Sequence, residues 1–317
     1  MTEELPGTGP EGHGNRQGRQ GQQDGRGEQG NQDGQDGQDG QAPFGARLRQ
    51  AMDTRGQLCV GIDPHGSLLT AWGLSDDVAG LERFTRTTVE ALADRVAVLK
   101  PQSAFFERFG SRGIAVLEKA VEEARAAGAL VLMDAKRGDI GSTMAAYAAT
   151  YLDKDSPLFS DAVTVSPYLG FGSLRPALDA AAVSGAGVFV LALTSNPEGG
   201  EVQRATASDG RSVAQLMLDH MAAENAGVEP LGSVGAVVGA TLARAGVDLA
   251  VNGPLLAPGI GAQGATPADL PGLFGAEVGN VVPSVSRGVL RHGPDISALR
   301  EAARRFADEV RTAVSAS

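Results

Sequence analysis

Eight apolar runs separated by helical patterns predict an α/β fold, a parallel sheet closed into a (β/α)8 TIM barrel. Three observations carry this expectation. The runs are almost continuously apolar, as strands covered on both faces must be. They spread over about 275 residues, a length that single barrels reach. Polar residues also appear where the runs end, at Asp63, Lys100, Asp134 with Lys136, Ser166, Thr194 and Arg287. The carboxyl ends of barrel strands form one reactive rim, so these residues would converge although they are far apart in the chain.

In order, Phe44 to Arg55 reads as a short amphipathic helix leading into a first strand over 57–63. Further strands are expected over 96–101, 130–136, 162–167, 187–194, 232–239, 255–261 and 280–287. Helices are expected between them over 76–94, 104–127, 142–152, 172–184, 211–226, 240–245 and, briefly, 267–274, with a last one over 296–314. The lone cysteine, Cys59, sits in the apolar run Leu58-Cys59-Val60, which reads as core and allows no internal disulfide.

Residues 1–42 read differently from the barrel domain expected over 43–317. They are nearly all Gly, Gln, Asp, Glu, Asn and Arg, and Gln-Asp-Gly repeats three times between Gln32 and Gly40. Such a segment has little to bury and is expected to be disordered. Its eight acids against three arginines carry −5 of the chain's net −11. The acidic balance argues against nucleic acid as a partner. No stretch has the length and apolarity of a membrane span, and no signal-peptide pattern opens the chain, so a cytoplasmic location is expected.

The most informative stretch is Val131-Leu132-Met133-Asp134-Ala135-Lys136-Arg137-Gly138-Asp139-Ile140-Gly141-Ser142-Thr143. Strand alternation points Asp134 and Lys136 the same way, and Lys100 shares a face with Val96 and Val98. With Asp139 on the following loop, a Lys–Asp–Lys–Asp set of zero net charge is expected. Alternating signs would keep each group ionised against desolvation. Such an array suits a reaction that builds negative charge on carbon and then delivers a proton. A structural salt-bridge network at the strand ends is the plainer alternative. The loop Pro258-Gly259-Ile260-Gly261-Ala262-Gln263-Gly264 and the segment Ser284-Val285-Ser286-Arg287-Gly288 fall where barrels hold phosphate, after strands seven and eight. Asp63, in Gly61-Ile62-Asp63-Pro64-His65, could accept hydrogen bonds from ribose hydroxyls or simply form a turn. The histidines show no metal-ligand spacing, and no dinucleotide or ATP loop is present.

Asp134-Ala-Lys136-Arg-Gly-Asp139-Ile140-x-x-Thr143 resembles the signature of the orotidine 5′-phosphate decarboxylase family. The likeness extends to Asp63, Lys100, the glycine loop and Arg287, and covers about Phe44 to the C-terminus. The runs Leu99-Lys100-Pro101-Gln102-Ser103-Ala104-Phe105-Phe106-Glu107 and Thr194-Ser195-Asn196-Pro197-Glu198-Gly199 resemble its longer bacterial subgroup. The resemblance implies a homodimer with shared active sites that converts orotidine 5′-phosphate to UMP and CO₂ without metal or organic cofactor. It implies that Lys136 protonates C6, Asp134 presses on the substrate carboxylate, and Lys100 bonds Asp134 and the ribose. Asp139, Ile140 and Thr143 would enter the neighbouring subunit's site. Asp63 would bind ribose, Ser166 the pyrimidine, Arg287 and the loop around Gly261 the phosphate, and Gln263 would bridge phosphate and base. Competing expectations are an Mg²⁺-dependent sugar-phosphate enzyme, a Schiff-base aldolase using Lys136 or Lys100, and a catalytically dead nucleotide-binding barrel.

Overall fold

The computed structural model describes residues 41–242, 246–261 and 264–316. Residues 1–40 of the tail expected to be disordered and residues 243–245 of the helix expected over 240–245 lie outside these residues, and no helix covers residues 240–242. Eight parallel strands close into one barrel in chain order. They are β1 (Cys59–Ile62), β2 (Val98–Pro101), β3 (Leu130–Arg137), β4 (Ala162–Val165), β5 (Gly187–Leu193), β6 (Val234–Val238), β7 (Leu255–Pro258) and β8 (Val281–Val285). β1 and β8 complete the ring through Cys59 opposite Ser284 and Val60 opposite Val285. All eight expected strands are present, most of them shorter than the apolar runs at one or both ends.

Alternation divides the strand side chains between two cores. Those pointing outward, such as Val60, Leu99, Val131 and Val163, pack under the helices. Those pointing inward, including Cys59, Val98, Leu132, Phe189 and Val282, fill the barrel. The helix Phe44–Arg55 joins this inner core by inserting Phe44, Leu48 and Met52. Phe44 meets Phe189 edge-on with ring centroids 5.9 Å apart. Among the described residues the interior is therefore packed at the amino end and open at the carboxyl end, where a ligand can sit.

The helical expectations held with informative exceptions. The pattern over 104–127 reads as one helix, but the chain forms Ala104–Glu107 and Ser111–Ala126. Gly110, at φ 63°, breaks it. A short helix Gly66–Ala71 was not anticipated. The long connection after β5 contains a 3-10 turn at Pro197–Gly199 and a helix at Gly200–Gln203 before the expected helix, here Val213–Glu224. The last helix, Ile296–Ser315, begins at an Asp295 cap that accepts from Ala298 N–H at 2.7 Å. No described helix is long and apolar enough to cross a membrane.

Candidate active site

The carboxyl ends of the strands surround a cavity of about 390 Å³. Lys100 rises into it from β2 and is buried, as is Asp134 from β3. Lys100 Nζ donates to Asp134 Oδ2 at 2.8 Å, and Lys136 Nζ to Asp134 Oδ1 at 2.5 Å. Thr164 Oγ1, on β4, also donates to Asp134 Oδ1, at 2.9 Å. One carboxylate thus faces three donors. Burial alone would raise the Asp134 pKa, but Lys100 first and then Lys136 outweigh it and hold the carboxyl well below the usual range. Burial alone would lower the Lys100 pKa, yet Asp134 and then Asp63 hold the ammonium above its ordinary value. The two lysines differ in access: the Lys136 side chain is 44% exposed and that of Lys100 only 6%.

The meeting of Asp134 and Lys136 does not come from simple alternation. Met133 pairs with Val163 and Arg137 with Val165, so four steps along β3 answer two along β4. The strand bulges there, and Lys136 adopts φ 49°, a left-handed conformation that costs a lysine on the order of 1 kcal/mol or more. Its N–H donates to Thr164 Oγ1 at 3.0 Å. Gly138 follows, and a Cβ there would lie 2.3 Å from the Ser166 carbonyl oxygen, so only glycine fits the return of the chain.

The expected set of four charges is completed differently within one chain. Asp139 forms no ion pair with the two lysines among the described residues; its Oδ1 accepts from Ile140 N–H at 2.8 Å. Asp139 and Thr143 do not line the cavity, and Ile140 is 63% exposed beside the mouth. The second carboxylate in the cavity is Asp63, close enough to Lys100 to act on its charge.

The other expected binding residues divide in the same way. Asp63 and Arg287 line the cavity, and His65 does too, its ring 4.3 Å from that of Phe105. Ser166 does not: β4 ends at Val165, and Ser166 N–H donates to the Arg137 carbonyl at 2.7 Å. The β4 hydroxyl in the cavity belongs to Thr164, two residues earlier on the same strand face. That it is the lone polar residue within an apolar strand was the available signal. Pro258, Gly259 and Ile260 line the cavity, whereas Gly261 lies just beyond them with its N–H on the Ala265 carbonyl at 2.7 Å. Gln263 lies outside the described residues. Ser284 and Ser286, from the segment expected near phosphate but not singled out individually, also line the cavity. Among the described residues, Asp63 Oδ1 and Ser286 Oγ are buried without hydrogen-bond partners. Two such atoms on residues that line one cavity leave hydrogen-bonding capacity that a polar ligand could use.

A closed parallel barrel with a buried lysine, a carboxylate and a half-exposed lysine at its open mouth belongs to the class of barrel enzymes that work with fixed charge. The chain belongs to the orotidine 5′-phosphate decarboxylase / HUMPS family, which it matches over residues 56–302. The orotidine 5′-phosphate decarboxylase of Streptomyces coelicolor is 78% identical over 276 residues, 87% of this chain and 99% of that protein. That of Salinispora tropica is 64% identical over 275 residues, 86% of this chain and 99% of that protein. A solved structure assigned to the same activity, from Streptomyces avermitilis, superposes with a TM-score of 0.85 at 77% identity, covering 87% of this chain and 97% of the other. The Leishmania donovani OMP decarboxylase gives a TM-score of 0.68 at 30% identity, with 86% and 99% covered. At these identities the chain is a carboxy-lyase of this family.

Proposed function

We propose that the chain converts orotidine 5′-phosphate to UMP and CO₂, the last step of de novo UMP synthesis, by stabilising a C6 carbanion electrostatically and protonating it from Lys136. The observation that carries this reading is the charged set in the cavity: Lys136 is within hydrogen-bond reach of Asp134 and half open to solvent, while Lys100 is buried behind it. Loss of CO₂ from C6 leaves an electron pair without a sink in the pyrimidine. A fixed ammonium beside it lowers that barrier, and the same ammonium then supplies the proton. Asp134, held ionised, presses on the substrate carboxylate and relaxes as CO₂ departs. Lys100 fixes Asp134 and reaches the ribose, which Asp63 also binds. Arg287 and the segment Pro258–Gly261 hold the phosphate; Gln263 bridges phosphate and base. Binding energy from the distant phosphate is then available to hold the carboxylate against Asp134.

Asp139, Ile140 and Thr143 sit beside the mouth rather than in the cavity, which supports their service in a partner's site. Ile140, Tyr168 and Leu169, in the segments that follow β3 and β4, are exposed apolar side chains of the kind a subunit interface covers. The working form on this reading is a homodimer in the cytoplasm. Mixing Asp139→Ala with Lys136→Ala should restore part of the activity through hybrid dimers. No recovery after confirmed subunit exchange would place Asp139 in its own subunit's site.

The Mg²⁺-dependent rival is disfavoured by the donor set. Both Asp134 oxygens face ammonium groups, and no group of three or more His, Cys, Asp or Glu among the described residues could hold a metal. The Schiff-base rival is disfavoured for Lys100, whose ammonium is held protonated by its carboxylate neighbours. The deciding experiment follows the loss of orotidylate absorbance in the presence of EDTA. Undiminished turnover is expected. Inhibition reversed by Mg²⁺ would move the assignment to the metal-dependent enzymes, and no turnover at all would favour a non-catalytic barrel.

A further inference from the structure

Lys136 holds a left-handed conformation in the mouth, and its N–H on Thr164 secures only the peptide that precedes it. The bulge that creates this conformation closes at the next residue. Arg137 pairs with Val165 on β4, and its carbonyl accepts from Ser166 N–H at 2.7 Å. Its side chain turns away from the cavity. There the guanidinium bonds Glu107, the last residue of the helix Ala104–Glu107, and Nη1 reaches the Ala135 carbonyl at 3.3 Å. The guanidinium carbon lies 5.6 Å from the centre of the Tyr147 ring, with buried Tyr151 close by on the same helix.

The position of Glu107 matters as much as its charge. Its helix starts three residues after Pro101, the end of the strand that carries Lys100. Between them, Ser103 N–H donates to the Asp134 carbonyl at 3.3 Å, and Gln102 bridges to Asp134. The Arg137–Glu107 pair therefore ties the chain just after Lys136 to the chain just after Lys100. Both side chains are about one-third exposed. Such an ion pair adds little to stability. Its geometric effect is larger: with Thr164 on the Lys136 N–H, it fixes the peptide on both sides of the left-handed residue.

We propose that Arg137 and Glu107 are positioning residues that hold the β3 bulge closed and so keep the Lys136 ammonium on Asp134 and over the cavity. This rests on the decarboxylase reading only for its kinetic consequence. Without the clamp the bulge relaxes toward an ordinary strand, Lys136 leaves the left-handed region, and its ammonium swings toward solvent. The nucleotide would still bind through Asp63 and Arg287, which the clamp does not touch. Turnover would suffer, since a displacement of about 1 Å at a reacting group can cost on the order of 100-fold.

The test uses full-length Arg137→Ala, Glu107→Ala and Glu107→Gln, with crystal structures and steady-state kinetics of each. Lys136 is expected to lose its contact with Asp134 in both alanine variants. Their kcat should fall on the order of 10- to 100-fold with KM changed about threefold or less. Glu107→Gln, which keeps a neutral hydrogen bond, should fall between them and the parent. The Arg137→Ala/Glu107→Ala double variant should be no worse than the poorer single one, because the two act as one unit. The proposal is overturned if Lys136 stays at φ near 50° on Asp134 in folded Glu107→Ala. Additive losses in the double variant would also overturn it, as would kcat and KM moving together. Should Arg137→Ala fail to fold, the Glu107 variants decide alone. A parent enzyme without decarboxylation would sink the reading above, while the crystal structures would still judge the clamp.

Discussion

Two charge clusters in this barrel share one sign pattern and have opposite fates. At the mouth, Asp134 lies between Lys100 and Lys136. At the sealed end, Asp161, the residue before β4, lies between Arg47 and Arg125. Both carboxylates are buried. Arg47 Nη1 meets Asp161 Oδ1 at 2.5 Å, Arg125 Nε lies 3.4 Å from Oδ2, and Val131 N–H donates to Oδ2 at 2.9 Å. The remaining Arg47 donors go to the Ala42 and Gly185 carbonyls, each at 3.0 Å. Arg47 has no donor nitrogen left over, and the cluster pins the first helix to β3 and β4. At the mouth the cations are point charges, and Lys136 keeps hydrogens that face open space. Arginine is fixed in its charge and forked in its geometry, whereas lysine can hand over a proton. A cavity of about 510 Å³ also lies beside Arg47, Arg125 and Asp161, so the difference teaches that neither sign pattern nor open space alone marks a reactive site; the type of cation does.

The comparison can be broken most sharply at Lys136. Lys136→Ala should reduce decarboxylation by on the order of 10³- to 10⁴-fold, with UMP affinity and thermal stability largely kept. Near-normal turnover, followed by orotidylate absorbance, would remove it as the acid. Asp161→Asn should do the reverse. It leaves a buried arginine short of its counter-ion, so urea denaturation should show a loss of about 3–5 kcal/mol. The folded fraction should turn over at the parental kcat; a fall in kcat would mean that the sealed end communicates with the mouth.

The next effect is smaller and depends on pH. Burial pushes the Asp134 pKa up, but Lys100 and then Lys136 bring it below the usual value, so the folded state binds fewer protons than the unfolded chain. Its contribution to stability is complete above about pH 4 and is lost as pH falls through the lower folded value. For Lys100 the folded value is raised, so its contribution is complete below about pH 10 and is lost as pH rises through that higher value. The stability gap between the parent and Asp134→Asn should therefore be flat from about pH 5 to 9 and narrow near pH 3. A gap that widened in acid would show the signs reversed. The mildest change is Ser286→Ala, which removes one hydroxyl from the ligand's reach. KM for the nucleotide should rise about fivefold, a loss near 1 kcal/mol, with kcat retained.

Much of this was legible in the chain because a strand end is a local signal. Apolar runs ended at Asp63, Lys100 and Asp134, and the barrel brought all three to one cavity. What stayed hidden depends on pairing between strands. Two residues in excess on β3 relative to β4 cannot be seen in either strand alone, so the bulge at Lys136 was invisible and simple alternation was assumed. β4 ends at Val165, and Thr164, rather than Ser166, lies beside the carboxylate. Asp139 was expected in the charge set; within one chain its Oδ1 accepts from Ile140 N–H, and a single chain does not contain the neighbouring site in which the resemblance places it. Gly110 was readable as a breaker but was overridden by the apolar periodicity around it. Asp161 and its arginines are scattered over residues 47 to 161 with no motif to join them.

The helix at Phe44–Arg55 corks the barrel from below. Among the described residues, traffic through the barrel therefore has a single doorway: whatever enters to react and whatever leaves afterwards must pass the same rim. Arrival and departure must then take turns, and a molecule lodged in that opening stops both at once.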